Sequence, residues 1–158
     1  MVKVLFVCTG NICRSPTAEG VFRALIDQEG LSDRILIDSA GTGSWHVGES
    51  PDPRSQEAAK RRGIDLSPIR ARQVARSDFA AFDYVLAMDS GNYRQLESIC
   101  PFEAENKLSM FLDFAPSAER TDVPDPYYGG ANGFDHVLDL IEEGSRGLLA
   151  DIRIKHLT

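Results

Sequence analysis

The chain is poor in cysteine, with three in 158 residues. That number is too small and too odd for a disulfide framework, and it suits a reducing compartment and a thiol kept for chemistry. Long apolar runs are absent too, and the apolar start Val4 to Val7 is far too short for a signal-peptide core. A soluble, cytoplasmic protein without a membrane partner is expected. Positive charge is in deficit, with 17 Lys and Arg against 24 Asp and Glu for a net −7. This argues against the clustered basic surface that nucleic acid or an anionic membrane requires, though not against a local anion site. The three histidines, His46, His136 and His156, stand isolated without metal-ligand spacing and read as surface residues. No metal and no other cofactor is expected. No Gly/Ser linker, low-complexity tract or internal repeat divides the sequence, so residues 1–158 read as one domain with a sizeable core.

What is present is concentrated in Val7-Cys8-Thr9-Gly10-Asn11-Ile12-Cys13-Arg14-Ser15-Pro16. It follows Val4-Leu5-Phe6-Val7, a short buried strand, and opens into residues 17–29, where Ala18, Val21, Phe22, Leu25 and Ile26 recur at helical spacing. Ser15 is expected to cap the helix, with Pro16 at its first position. The unpaired N–H groups at such an end, with the positive end of the helix dipole behind them, form an anion cradle. Gly10 and Asn11 are expected to supply the positive φ values it needs. Cys8, aimed into those donors with Arg14 six residues on, should ionise easily. Arg14 offers a planar fork for two phosphate oxygens. By composition alone an accidental Cys-x5-Arg pair has roughly a one-in-four chance, so the strand, glycine and helix around it carry the assignment.

Downstream, strands are expected at Arg34–Asp38, Tyr84–Met88 and Lys107–Phe111. Helices are expected from Asp52-Pro53 to Arg62, closed by Gly63; over Ser77–Phe82; after the cap Asp89; and along Phe134 to Ile152. Alternating strands and helices imply an α/β fold, a parallel sheet with helices on both faces and the phosphate loop at its carboxyl edge. Gly41 to Pro51 reads as a surface loop holding the single tryptophan, Trp45, which either anchors packing or lines an aromatic slot. Arg61, Arg62, Arg70, Arg72 and Arg76 read as a solvated helix end and loop, with phosphate docking as the alternative. Thr121 to Gly133, rich in proline and glycine, reads as a loop carrying Asp122, Asp125, Tyr127 and Tyr128.

Cys8 through Pro16, together with Asp125-Pro126-Tyr127-Tyr128-Gly129-Gly130, Asp38-Ser39-Ala40-Gly41, Ser50-Pro51-Asp52-Pro53-Arg54 and Arg72-Gln73-Val74, resembles the low-molecular-weight protein tyrosine phosphatases over almost the whole chain. The resemblance implies a four-stranded sheet of order 2-1-3-4. It implies Cys8 as nucleophile, Arg14 as phosphate ligand and Asp125 as general acid, with Asp122 a bland neighbour. Thr9, Gly10, Asn11, Ile12, Cys13 and Ser15 then form the phosphate-binding loop, Ser15 also bonding the Cys8 sulfur. Trp45, Tyr127 and Tyr128 flank the substrate ring, and Ser39 braces the loop. The implied substrate is a phosphotyrosine-containing protein, attacked through a cysteinyl-phosphate by a monomer or weak homodimer.

Relatives that act on phosphoarginine tend to carry threonine where Ile12 stands, so this chain resembles the tyrosine-specific branch. Cys13 either packs behind the loop or, as in the family, forms a reversible disulfide with Cys8; Cys100 reads as a core cysteine. Many members carry a histidine at the position of Ile69 that helps hold the loop asparagine, here Asn11. Isoleucine donates no such bond, which leaves Ser39 as the expected brace. Three other readings compete. An arsenate reductase of similar fold needs two further thiols, with only Cys13 and Cys100 to serve. A flavin-binding module leaves Cys8 and Arg14 idle, and a non-catalytic phosphotyrosine-binding module is the third.

Overall fold

The computed structural model describes residues 1–115, 121–126 and 132–157. Strand β1 (Val2–Cys8) runs into helix α1 (Arg14–Gln28), followed by β2 (Ile35–Gly41), α2 (Pro53–Lys60), α3 (Asp78–Ala81), β3 (Tyr84–Ala87), α4 (Ser90–Ile99), β4 (Leu108–Met110) and α5 (Gly133–His156). Short 3-10 turns flank β4 at Phe102–Lys107 and Phe111–Phe114. The four strands form one parallel sheet in the order β2-β1-β3-β4. Fold class and strand order are those expected.

A central parallel strand is covered on both faces, which is why β1 is apolar without interruption. Its side chains alternate between two cores. Val4, Phe6 and Cys8 face α1 and α5, where Phe6 meets the rings of Phe22 and Phe111 edge to face at 5.9 and 5.3 Å. Leu5 and Val7 face the opposite core with Phe79, Val85 and Leu96. This alternation puts the Cys8 sulfur on the α1 side of the sheet, at the strand's carboxyl end.

Several local expectations shift. Helix α1 begins at Arg14, with Cys13 in the N-cap place and no side-chain cap bond, so Ser15 does not cap and Pro16 stands third in the helix. The Ser15 hydroxyl is instead used in a buried network described below. Asn11 has φ 58°, but Gly10 is not in the left-handed region: one such residue is enough to turn the chain. Gly10 lets the loop lie close to His46, whose ring would have to shift for a Cβ built 2.9 Å from its Cδ2. Helix α2 stops at Lys60, two residues short of the expected end, and Gly63 follows at φ 80°. Asp52 caps α2 by accepting from the Arg54 N–H at 2.8 Å, as expected. Arg62 and Arg72 are half-buried and held in ion pairs, and so are not the freely solvated groups expected. Arg62 ties the end of α2 to Asp139 and Glu142 of α5 at 2.9 and 3.3 Å, and Arg72 pairs with Asp38 and Asp78.

Candidate active site

The loop from Cys8 to Arg14 curls around a cleft of about 150 Å³ whose floor is Cys8, itself 2% exposed. The backbone N–H groups of Gly10, Asn11, Ile12 and Cys13 donate to no described residue. Such donors gain most from a partner where water is excluded, and a ring of them is what an anion would satisfy. Ile12, Arg14 and Trp45 form part of the wall, and Asp125 reaches the same cleft from the far loop. Trp45 stands on the rim, 73% exposed, so it is no packing anchor. Tyr127 and Tyr128 lie outside the described residues.

Arg14 is held firmly. Its Nη1 donates to Oδ2 of Asp89 at 2.6 Å and to the Val123 carbonyl at 3.1 Å, while Nη2 reaches Oγ1 of Thr9 at 3.4 Å. Burial opposes its charge, but Cys8, then Asp89 and Asp125, outweigh that and keep the guanidinium above its ordinary pKa. Asp89 does two jobs: Oδ2 takes Arg14, and Oδ1 caps α4 by accepting from the Asn92 N–H at 2.7 Å. Only the cap is legible in the sequence. Asp122 accepts from the N–H of Ser90 at 3.1 Å, at the start of the same helix.

Behind the loop, Cys8 Sγ and Ser15 Oγ are 3.0 Å apart. Asn11 Nδ2 donates to Ser15 Oγ at 2.8 Å and to Ser39 Oγ at 3.0 Å, and Ser39 donates to Glu19 Oε1 at 2.6 Å. Glu19, buried on α1, also pairs with Arg23 at 2.9 Å. The expected gap at Ile69 is closed otherwise: Ile69 packs with Ala59 and Leu66, and the Arg72 N–H donates to Asn11 Oδ1 at 3.0 Å. Cys13 is buried beside the cleft, where burial pushes its thiol up to about 12, a hydrogen bond with Ser55 offsets part of this, and Asp52, Cys8 and Asp125 add to it. His46, expected as an isolated surface residue, lines the cleft and pairs with Glu49. Cys100 packs with the core on the other face of the sheet from Cys8. Among the described residues no group of three or more His, Cys, Asp or Glu side chains is placed to hold a metal ion, and no helix is long and apolar enough to cross a membrane.

A sequence profile described as "Low molecular weight phosphotyrosine protein phosphatase" matches residues 3–157. The chain belongs to that family. It is 45% identical to the low molecular weight protein-tyrosine-phosphatase YfkJ of Bacillus subtilis, over 97% of each chain. The family fold is equally evident against a crystal structure of a protein tyrosine phosphatase from Entamoeba histolytica with Hepes in its active site: TM-score 0.94, 42% identity, 98% of each chain covered. A Drosophila arginine phosphatase superposes with TM-score 0.85 and 31% identity, covering 97% of this chain and 98% of its own. One scaffold thus carries two named leaving groups, and family membership alone does not choose between them.

Proposed function

We propose that the protein hydrolyses phosphotyrosine in protein substrates, and small aryl phosphates, in two displacements at Cys8. The Cys8 sulfur attacks phosphorus in line while Arg14 and the loop N–H groups hold the equatorial oxygens. The P–O bond to the tyrosine breaks, and Asp125 gives its proton to the phenolate oxygen as it leaves. Water then attacks the cysteinyl-phosphate and passes a proton to the Asp125 carboxylate, and the S–P bond breaks to release inorganic phosphate. The observation that carries this reading is that Cys8, Arg14 and Asp125, the last more than a hundred positions away in sequence, line one small cleft together with loop residues whose N–H groups donate to no described residue.

The apolar Ile12 and the exposed Trp45 on the wall and rim favour an aryl group over a charged guanidino group. A nucleophile at the floor suits the long reach of phosphotyrosine better than the shorter phosphoserine. Cys13, beside the same cleft, is proposed as the redox partner of Cys8. Peroxide would oxidise Cys8 to the sulfenic acid, and Cys13 would displace water from it to form a disulfide. An arsenate reductase relay is disfavoured because Cys100 lies across the sheet from the other two thiols. Three unlinked cysteines support a cytoplasmic setting. We take residues 1–158 as one phosphatase domain acting as a monomer or weak homodimer.

Hydrolysis of p-nitrophenyl phosphate against pH, with chelator present, tests the scheme. A bell-shaped profile on the acidic side, a dead Cys8→Ser and a crippled Asp125→Ala are expected. A reduced native protein without turnover would remove the mechanism.

A further inference from the structure

Asn11 is the only non-glycine residue with positive φ among the described residues, and it is buried. Its amide has three partners whose chemistry orients it. The Arg72 N–H, 3.0 Å from Oδ1, is a donor and nothing else, so the carbonyl side of the amide faces it. Nδ2 is thereby turned toward Ser15 and Ser39, whose oxygens accept. With an acceptor site of its oxygen engaged by Asn11, Ser15 has one hydroxyl hydrogen to place between Cys8 Sγ at 3.0 Å and the Ala40 carbonyl at 3.3 Å, and a sulfur that carries charge is the stronger acceptor of the two. The direction of the relay from Arg72 through Asn11 and Ser15 to Cys8 is therefore set at Arg72.

Arg72 is itself clamped. Nε donates to Asp38 Oδ2 at 3.0 Å, and Nη1 and Nη2 donate to the two oxygens of Asp78 at 3.1 Å each. Its carbonyl accepts from the Gly41 N–H at 2.8 Å, joining this segment to the end of β2. None of Arg72, Asp38 and Asp78 lines the cleft, so substrate contact does not account for the cluster. A planar guanidinium gripped by two carboxylates is a rigid joint, and here it spans β2 and α3.

We propose that Arg72 is a positioning residue for the nucleophile: clamped by Asp38 and Asp78, it presents its peptide N–H to Asn11, holds the left-handed turn and aims the Ser15 hydroxyl hydrogen at the Cys8 sulfur. The proposal rests on the reading of Cys8 as nucleophile. A hydrogen bond to that sulfur stabilises the charge it regains when water displaces it from phosphorus, so the effect falls on breakdown of the cysteinyl-phosphate.

Arg72→Leu and Arg72→Lys, each alone and combined with Ser15→Ala, are compared by steady-state and rapid-mixing assays of p-nitrophenyl phosphate. Arg72→Leu is expected to lower kcat on the order of tenfold, with KM falling in parallel and a burst of p-nitrophenol before steady turnover. Arg72→Lys recovers part of kcat by keeping an ion pair. In the Ser15→Ala background Arg72→Leu adds no further loss, because its route to Cys8 is already cut. A folded Arg72→Leu protein with native kcat, or one whose loss is undiminished without Ser15, overturns the proposal. Should Arg72→Leu not fold, Arg72→Lys and the more exposed Asp38→Asn are read by the same criteria at smaller amplitude. Turnover retained by Cys8→Ser would instead defeat the underlying reading.

Discussion

Asp89→Asn separates the charge on the Arg14 clamp from its geometry. The side chains of Arg14 and Asp89 are 6% and 24% exposed, and their 2.6 Å contact is the shortest of the three that hold the guanidinium. Asparagine still caps α4, because its side-chain oxygen can accept from the Asn92 N–H. It also fills the same space, but with its oxygen on the cap its Nδ2 faces the Arg14 Nη1 donor, so the change removes the carboxylate's charge and one charge-assisted hydrogen bond and leaves two donors opposed. Such a bond contributes about 1.5–3 kcal/mol, and exposure on the Asp89 side puts the expected loss of stability toward the lower end. The two remaining partners, the Val123 carbonyl and Thr9 Oγ1, are neutral and longer at 3.1 and 3.4 Å. Loosened by that much, the guanidinium should lose orientation toward the equatorial oxygens, lowering kcat roughly tenfold. Ground-state binding moves the other way: with one negative charge fewer beside the cleft, inorganic phosphate should inhibit as well as before or better. The assay is therefore a pair, kcat on p-nitrophenyl phosphate and the inhibition constant of phosphate, with thermal unfolding to register the stability loss. Unchanged kcat in a folded variant, or phosphate affinity lost in the same ratio as kcat, would refute orientation as the function of Asp89.

Ile12→Thr exchanges an apolar wall group for a hydroxyl; kcat/KM for phosphotyrosine peptides should fall relative to that for phosphoarginine peptides, and an unchanged ratio would remove Ile12 from specificity. Cys13 predicts an alkaline stability loss. Its folded pKa of about 12 lies above the ordinary value of 9.0, so its contribution is intact below pH 9 and declines as pH rises toward 12, by up to about 4 kcal/mol. Denaturant midpoints of Cys13→Ala should accordingly decline less steeply over that window than those of the native chain, whereas parallel slopes would contradict the assignment. Peroxide-treated protein should regain turnover on reduction, and Cys13→Ser should regain less, as measured by p-nitrophenyl phosphate hydrolysis with mass analysis of the Cys8-Cys13 bridge. Gly147→Ala should destabilise by roughly 1–3 kcal/mol in thermal unfolding although alanine is the better helix former, because its Cβ would fall 1.6 Å from the Phe114 carbonyl oxygen.

What could be read from the sequence and what could not divides by the range of the interaction. The apolar run of β1, the period of α1 and the loop between them are set by neighbours within a few residues, so a strand, a tight turn and a helix are legible there. The same locality explains the errors. Ser15 has the chemistry of a cap and sits where a cap is expected, but its hydroxyl lies among Cys8, Asn11 and Ala40, and the carbonyl of Ala40 belongs to a strand 25 positions away. A side chain claimed by a tertiary network is not available to a helix end. Arg72 repeats the point at longer range. In sequence it is one arginine among five in a basic stretch, and solvation is the ordinary fate of such a group. Its carboxylates come from β2, across a parallel crossover, and from α3, just beyond it, so only the closed sheet reveals the clamp. Ile69 follows from the same geometry. An imidazole there would be one way to hold Asn11, but the parallel bridge between Gly41 and Gln73 already draws the Arg72 peptide against that amide. Once the backbone supplies the donor, the side chain at 69 can turn to Ala59 and Leu66 without opening the cradle.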